Sequence, residues 1–161
     1  MDANNGLARI TIGQGLTLTG NTLTASNGNT LYAYLGLSST NNTTTVDAKF
    51  NFSAQSTGPT GSPTASSLND NFTVQTAGTY EVTFNANMKA ASVASAHNVY
   101  IRVNSSNQLF TKRTIVATQY GSVSSSFIQG LNVGDIIDVW IDLTSTTVEY
   151  DSGFLSIKKI N

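Results

Sequence analysis

Three alternating residues, Asp138, Trp140 and Asp142, form the chain's densest cluster of side chains able to do chemistry. Residues two apart on a β-strand share a face, so these three would stand together, opposite Val139, Ile141 and Leu143. An indole ring between two carboxylates suits a sugar: the ring stacks on a pyranose and the acids accept hydroxyl hydrogen bonds. The same tryptophan could instead pack at a subunit interface or under a loop. Acids four residues apart on a strand lie about 13 Å apart, too far for either pair of glycosidase carboxylates. Sugar cleavage by Asp138 and Asp142 is therefore disfavoured.

Other catalytic signatures are thinner. His97 is the single histidine, in an Ala/Ser-rich stretch that reads as a loop. A histidine-dependent nucleophile needs a base at hydrogen-bond distance and a third group to orient it. The chain has no G-x-S-x-G elbow and no cysteine, so His97 is expected to be a surface or loop residue. Asp135, Asp138, Glu149 and Asp151 could supply oxygen ligands to calcium, but no D-x-D-x-D loop gathers them. The expectation is thus no cofactor, with calcium as the minority reading. Gly13-Gln14-Gly15 lacks the lysine and the helix that a phosphate loop requires. Asn-x-Ser/Thr sites at Asn41, Asn42, Asn51, Asn71 and Asn104 are what chance gives a chain rich in those residues.

The elements that must position these groups read as strands. Leu31, Ala33, Leu35 and Leu37 alternate, and Val46–Phe52 gives a second run. Phe72–Val74 is short. Tyr80, Val82, Phe84, Ala86 and Met88 then make the clearest period-2 face in the chain. Val99–Val103, Leu109–Ala117, Val123–Leu131, Ile136–Leu143 and Phe154–Ile160 complete about nine strands, a count that suggests a sandwich or jelly roll. Between them, Ser38–Thr45, Gln55–Asp70, Ala90–Asn98 and Ser105–Gln108 read as polar loops. Near the N-terminus, Ile10/Ile12 and Leu16/Leu18 flank Gly13-Gln14-Gly15, and Gly20-Asn21 leads into Leu23. These runs are too short to bury a face alone, so they need partners.

Three motifs carry a family resemblance. They are Gly78-Thr79-Tyr80 through Phe84, Gly134-Asp135 ahead of Asp138-Val139-Trp140-Ile141, and Ser152-Gly153-Phe154-Leu155. In order and spacing they resemble the C1q/TNF-like trimeric jelly roll over roughly the last 90 residues. The resemblance implies an all-β antiparallel β-sandwich, a homotrimer and a binding role. It places Tyr80 and Phe84 in the core and makes Tyr100, Tyr120, Phe127, Phe154 and Trp140 candidates for the threefold axis. The N-terminal run in turn resembles one repeat of a viral or phage fibre shaft, though it reads equally well as a hairpin packed on its own domain. The collagen-like stem of C1q relatives and the cysteines of many TNF ligands are missing, which argues against eukaryotic signalling.

Composition narrows the class. Asn, Thr and Ser supply 59 of 161 residues while charged residues make up 11%, so solubility rests on hydroxyls and amides. The net charge of −1 and the scatter of basic residues disfavour nucleic acid, which needs clustered cations. Zero cysteines exclude disulfides and thiolate zinc sites and leave packing or oligomerisation to hold the fold. Their absence tilts the source towards microbes or viruses. No apolar run approaches the roughly 18 residues of a membrane span. The N-terminus shows no signal region, so an extracellular protein would get there by lysis, by assembly onto a particle or after loss of a leader. The expected organisation is a shaft-like or anchoring segment over residues 1–28 and a jelly-roll head over residues 29–161.

The leading expectation is a non-enzymatic, homotrimeric fibre or spike head on the virion surface. It would bind a bacterial surface glycan or protein, with Trp140, Asp138, Asp142, Asn41 and Asn42 as receptor contacts. Other virion proteins would hold it through the N-terminus. A ligand-free capsid-decoration or spore-surface protein is the alternative, and a secreted lectin-like or cytokine-like trimer a further one.

Overall fold

The computed structural model describes residues 16–19, 22–25, 30–37, 42–44, 48–91, 95–117, 119–142 and 147–160. These residues make fourteen strands and no helix. The first six are β1 (Leu16–Thr19), β2 (Thr22–Ala25), β3 (Tyr32–Leu37), β4 (Asn42–Thr44), β5 (Ala48–Lys49) and β6 (Phe52–Thr57). Then come β7 (Thr64–Ser66), β8 (Asn71–Thr73), β9 (Gly78–Ala90) and β10 (Ser95–Val103). The last four are β11 (Ser106–Ile115), β12 (Gly121–Leu131), β13 (Ile136–Ile141) and β14 (Val148–Lys159).

β1 and β2 pair with each other, Leu18 opposite Leu23, as a two-stranded antiparallel hairpin. The other strands form two sheets. One runs β11-β10-β13-β8-β7 with β5 beside β13, and the other runs β12-β9-β14-β3-β6 with β4 beside β14. Every strand pair is antiparallel. The fold is an antiparallel β-sandwich of the jelly-roll kind, as the strand pattern predicts.

The alternation in β9 explains why the sheets stack. Tyr80, Val82, Phe84, Ala86, Met88 and Ala90 are all sealed, and they belong to one buried cluster with Val99, Ile101, Ile137, Val139 and Ile141 of the other sheet. Each large apolar side chain so buried contributes about 1.5–3 kcal/mol. Phe50 sits among them, its ring 4.8 Å from Phe84 and 5.0 Å from Tyr150. The Tyr80 hydroxyl escapes an unpaired burial by donating to the Thr76 carbonyl at 2.6 Å. Both sides of the sandwich are stitched by side chains. Thr111 of β11 hydrogen-bonds the buried Ser125 of β12, and Gln55 of β6 accepts from the Ser67 amide just past β7.

Several predicted boundaries move. The Gln55–Asp70 stretch, read as one loop, holds the end of β6 and all of β7. β6 exposes every residue after Phe52, so it has no alternation to read. Predicted loop Ala90–Asn98 is shorter: β10 begins at Ser95 and carries His97 into the sheet, where it is 1% exposed. His97 is thus a buried strand residue, not a surface one, because its neighbouring alanines and serines carry too little apolar signal. Ser105–Gln108 collapses to a two-residue turn, with Asn104 at φ 50° and Ser105 at φ 67° feeding β11 at Ser106. Both left-handed residues match the twist that a tight hairpin needs. β14 starts six residues before Phe154, at Val148, its pattern broken by an irregularity between Tyr150 and Ser152.

Gly153, next to that irregularity, explains the Ser-Gly-Phe-Leu motif. Its φ of +148° and the space around it both reject a side chain, for a Cβ would strike the Asn85 carbonyl and the Ala86 Cα. Gly153→Ala should therefore lower unfolding free energy by about 2 kcal/mol or more. Gly130→Ala, where a Cβ meets nothing within 4 Å, should change it by less than about 1 kcal/mol. Urea denaturation of the two variants checks the contrast.

Candidate functional site

The outer face of the β10–β13 sheet gathers the residues singled out above. Register sets Trp140 between Tyr100 of β10 and Lys49 of β5, and Arg102 opposite Asp138. Asp138 accepts from Arg102 Nε at 3.0 Å and Nη2 at 3.3 Å, and its other oxygen lies 3.2 Å from Lys49 Nζ. The Arg102 guanidinium lies over the Trp140 ring, 4.1 Å from its centroid, a cation–π contact. Beyond the end of β13, Asp142 accepts from the Asn98 amide at 2.6 Å, Asn98 Nδ2 at 2.5 Å and the Tyr100 hydroxyl at 3.1 Å.

The predicted face is present, but its electrostatics differ from a pair of waiting acids. Asp138 is 7% exposed and held by two cations, and Asp142 is occupied by β10. The ring face nearest Arg102 is covered by the guanidinium. Sequence reasoning missed Arg102, Lys49 and Tyr100 as members of this group. Only the register of β10 and β5 against β13 brings them there. A depression of about 120 Å³ opens between Tyr100, Arg102, Asn107, Trp140, Ile141 and Asp142.

Burial pushes the Asp138 carboxyl upward. Hydrogen bonds from Arg102 and Lys49, and the Lys49 charge, outweigh that and hold its pKa below the ordinary 3.8. The Trp140 indole N–H also favours the charged form, although its nitrogen is buried without hydrogen-bond geometry to any acceptor.

The remaining candidates are dispersed. His97 Nδ1 lies 3.0 Å from the Asp142 carbonyl, which accepts from it in the Nδ1-protonated form. Asp135 caps its turn by accepting from Asn104 Nδ2 and the Asn132 amide, each at 2.8 Å. Glu149 pairs with Lys89 at 2.9 Å, and Asp151 accepts from the Ser152 hydroxyl at 2.8 Å. Among the described residues no three acids or histidines converge as metal ligands. Asn41 lies outside the described residues, and Asn42 begins β4 in register with Tyr150.

The aromatics proposed for a threefold axis do not share one surface. Tyr100 lies on the face just described, and Tyr120 sits under Lys89, whose Nζ is 4.9 Å from the ring centroid. Phe127 packs partly against the core. Phe154 stands on the outer face of the other sheet, its ring centroid 5.9 Å from that of Tyr34. Tyr34 lies beside Gly36, where even a methyl group would crowd its ring at 3.2 Å. Around this pair the register aligns Ser126, Thr83 and Ser156 in one row and Ile128, Glu81, Lys158 and Tyr32 in the next. Tyr32, Tyr34 and Ile128 remain exposed.

Comparison with solved structures shows the fold of the tumour necrosis factor proteins. The Eiger TNF structure from S. frugiperda aligns with a TM-score of 0.63 at 14% identity, over 83% of this chain and 94% of that one. Murine APRIL at pH 5.0 aligns with a TM-score of 0.62 at 18% identity, over 80% of this chain and 99% of that one. No protein-family model matches the sequence, and no curated protein matches it either. At such identities the likeness is one of fold: a TNF-like jelly roll.

The Asp138 cluster can be tested through pH. A depressed carboxyl pKa means the unfolded chain binds the proton more readily, so the cluster's contribution is fully present above pH 3.8 and lost as pH falls through the lower folded value. Asp138→Asn should cost about 1–3 kcal/mol at neutral pH, less than a fully dry pair, since Lys49 and Arg102 stay 26% and 19% exposed. The gap between variant and parent should narrow below pH 3.8. Thermal melts at stepped pH measure it.

Proposed function

We propose that the protein is a non-enzymatic, homotrimeric recognition head, displayed on a viral fibre or spike and binding a bacterial surface receptor. The observation that carries the reading is the contrast between the two outer faces of a TNF-like sandwich. The β9–β14 sheet presents hydroxyls such as Ser126, Thr83 and Ser156 around Tyr34 and Phe154, with Tyr32 and Ile128 exposed beside them. An exposed aromatic and aliphatic field of this kind suits contact with further copies of the chain. The β10–β13 sheet then faces outwards and carries the charged and aromatic cluster around Trp140, which suits a polar ligand. The β1–β2 hairpin is the part that would join the head to its stalk. Catalysis finds no support: the two sheet-face acids are occupied by their neighbours, and His97 is buried.

A second reading draws on the solved structures. The likeness to the Eiger TNF fold favours a secreted cytokine-like trimer equally well, and adsorption to bacterial cells separates the two.

Light scattering should give three times the 17.0 kDa of one chain, and without residues 1–28 three times the mass of the shortened chain. Tyr34→Arg should reduce that mass to a single chain while leaving the far-UV spectrum of a β-protein unchanged. A monomeric parent would sink the trimer. A trimer that adsorbs to no bacterial cells would move the reading to a structural decoration protein or a cytokine.

A further inference from the structure

Resting on the recognition reading above, we infer that the depression beside Trp140 takes the carboxylate of an acidic sugar. The site holds unused hydrogen-bonding capacity on its donor side. Both acids at the site are satisfied: Asp138 by Arg102 and Lys49, Asp142 by Asn98 and Tyr100. A ligand offering only hydroxyl donors would compete with those bonds. The donors are less fully used. Arg102 spends Nε and one Nη2 proton on Asp138, which leaves the Nη1–Nη2 end of its fork. That end fits a carboxylate through two parallel N–H···O bonds. The Asn107 side chain, across the depression, makes no hydrogen bond among the described residues.

Size fits the same class. The depression, about 120 Å³ and open to solvent, admits a carboxylate to Arg102 while the rest of a sugar stays at its mouth. The sugar ring would lie outside, against the Tyr100 edge of the cluster. Cation and aromatic are already stacked in Arg102 and Trp140, so the guanidinium is held in place before the ligand arrives. Asp138 serves here as a positioning residue. It fixes the orientation of the fork and does not touch the ligand.

The chain has one tryptophan, so its fluorescence reports this site alone. The experiment titrates the full chain with galacturonic, glucuronic and N-acetylneuraminic acids, each against its methyl ester, which keeps the ring and removes the charge. At least one acid should shift Trp140 emission saturably at concentrations up to about 10 mM and bind about tenfold more tightly than its ester. Asn107→Ala, in an exposed position that leaves the fold intact, should weaken that acid severalfold, and so should Arg102→Lys, which keeps charge but loses the fork. Three outcomes overturn the inference: no acid binds, acid and ester bind alike, or Asn107→Ala binds as the parent does. If the trimer still adsorbs to bacterial cells in those cases, only the acidic-sugar assignment falls. If adsorption is lost too, the recognition reading falls with it.

Discussion

The structure depends on the apolar interface between two sheets in a chain that has no cysteine to staple it. Without cysteine, and with few charges, close packing must offset most of the chain entropy lost on folding. β9 is the central element. It has β12 on one side and β14 on the other, and it sends every second residue inwards against β10 and β13. Gly153 belongs to the same constraint, because it lets β14 come close to β9 where a side chain would hold it off.

Since the inner faces are committed to packing, chemistry is confined to the outer ones, and the two have different characters. On β10 and β13 the residues between the core positions are Asn98, Tyr100, Arg102, Asp138 and Trp140: Arg102 holds Asp138 and lies over Trp140, while Asn98 and Tyr100 donate to Asp142. On β9, β12 and β14 they are mostly Ser, Thr and Asn, with short cross-strand hydrogen bonds such as Thr83 to Ser126 and Asn87 to Ser152. The first face is preorganised and charged. The second is mostly small and polar and is interrupted by the Tyr34–Phe154 pair.

The long strands were legible because each buries one face, and burial imposes a period of two. Among the short strands β8 reads as Phe72–Val74 and β5 falls within the run Val46–Phe52, but β4, β7 and the end of β6 read as loop. β5, β6 and β7 supply few core residues, the hydroxyls and amides of β4, β6 and β7 suit loops as well, and pairing partners elsewhere in the chain decide their state. His97 was hidden in the same way, among small neighbours. At the site, the grouping of Asp138, Trp140 and Asp142 could be read from spacing, but what neutralises them could not. Arg102 lies 36 residues from Asp138, and Lys49 comes from a two-residue strand in a stretch with a weak pattern.

By itself, then, the sequence determined an all-β sandwich, the direction in which each long strand faces, and the absence of disulfide staples. Those properties are local: alternation, turn glycines and composition act within a few residues. Tertiary structure decided that the acids on β13 are engaged and not free, that Tyr34 joins Phe154 on an outer face, and that donors remain open beside Trp140. These follow from which strands are neighbours and in what register, a long-range choice made by the best burial of the whole core and left unwritten in any single segment.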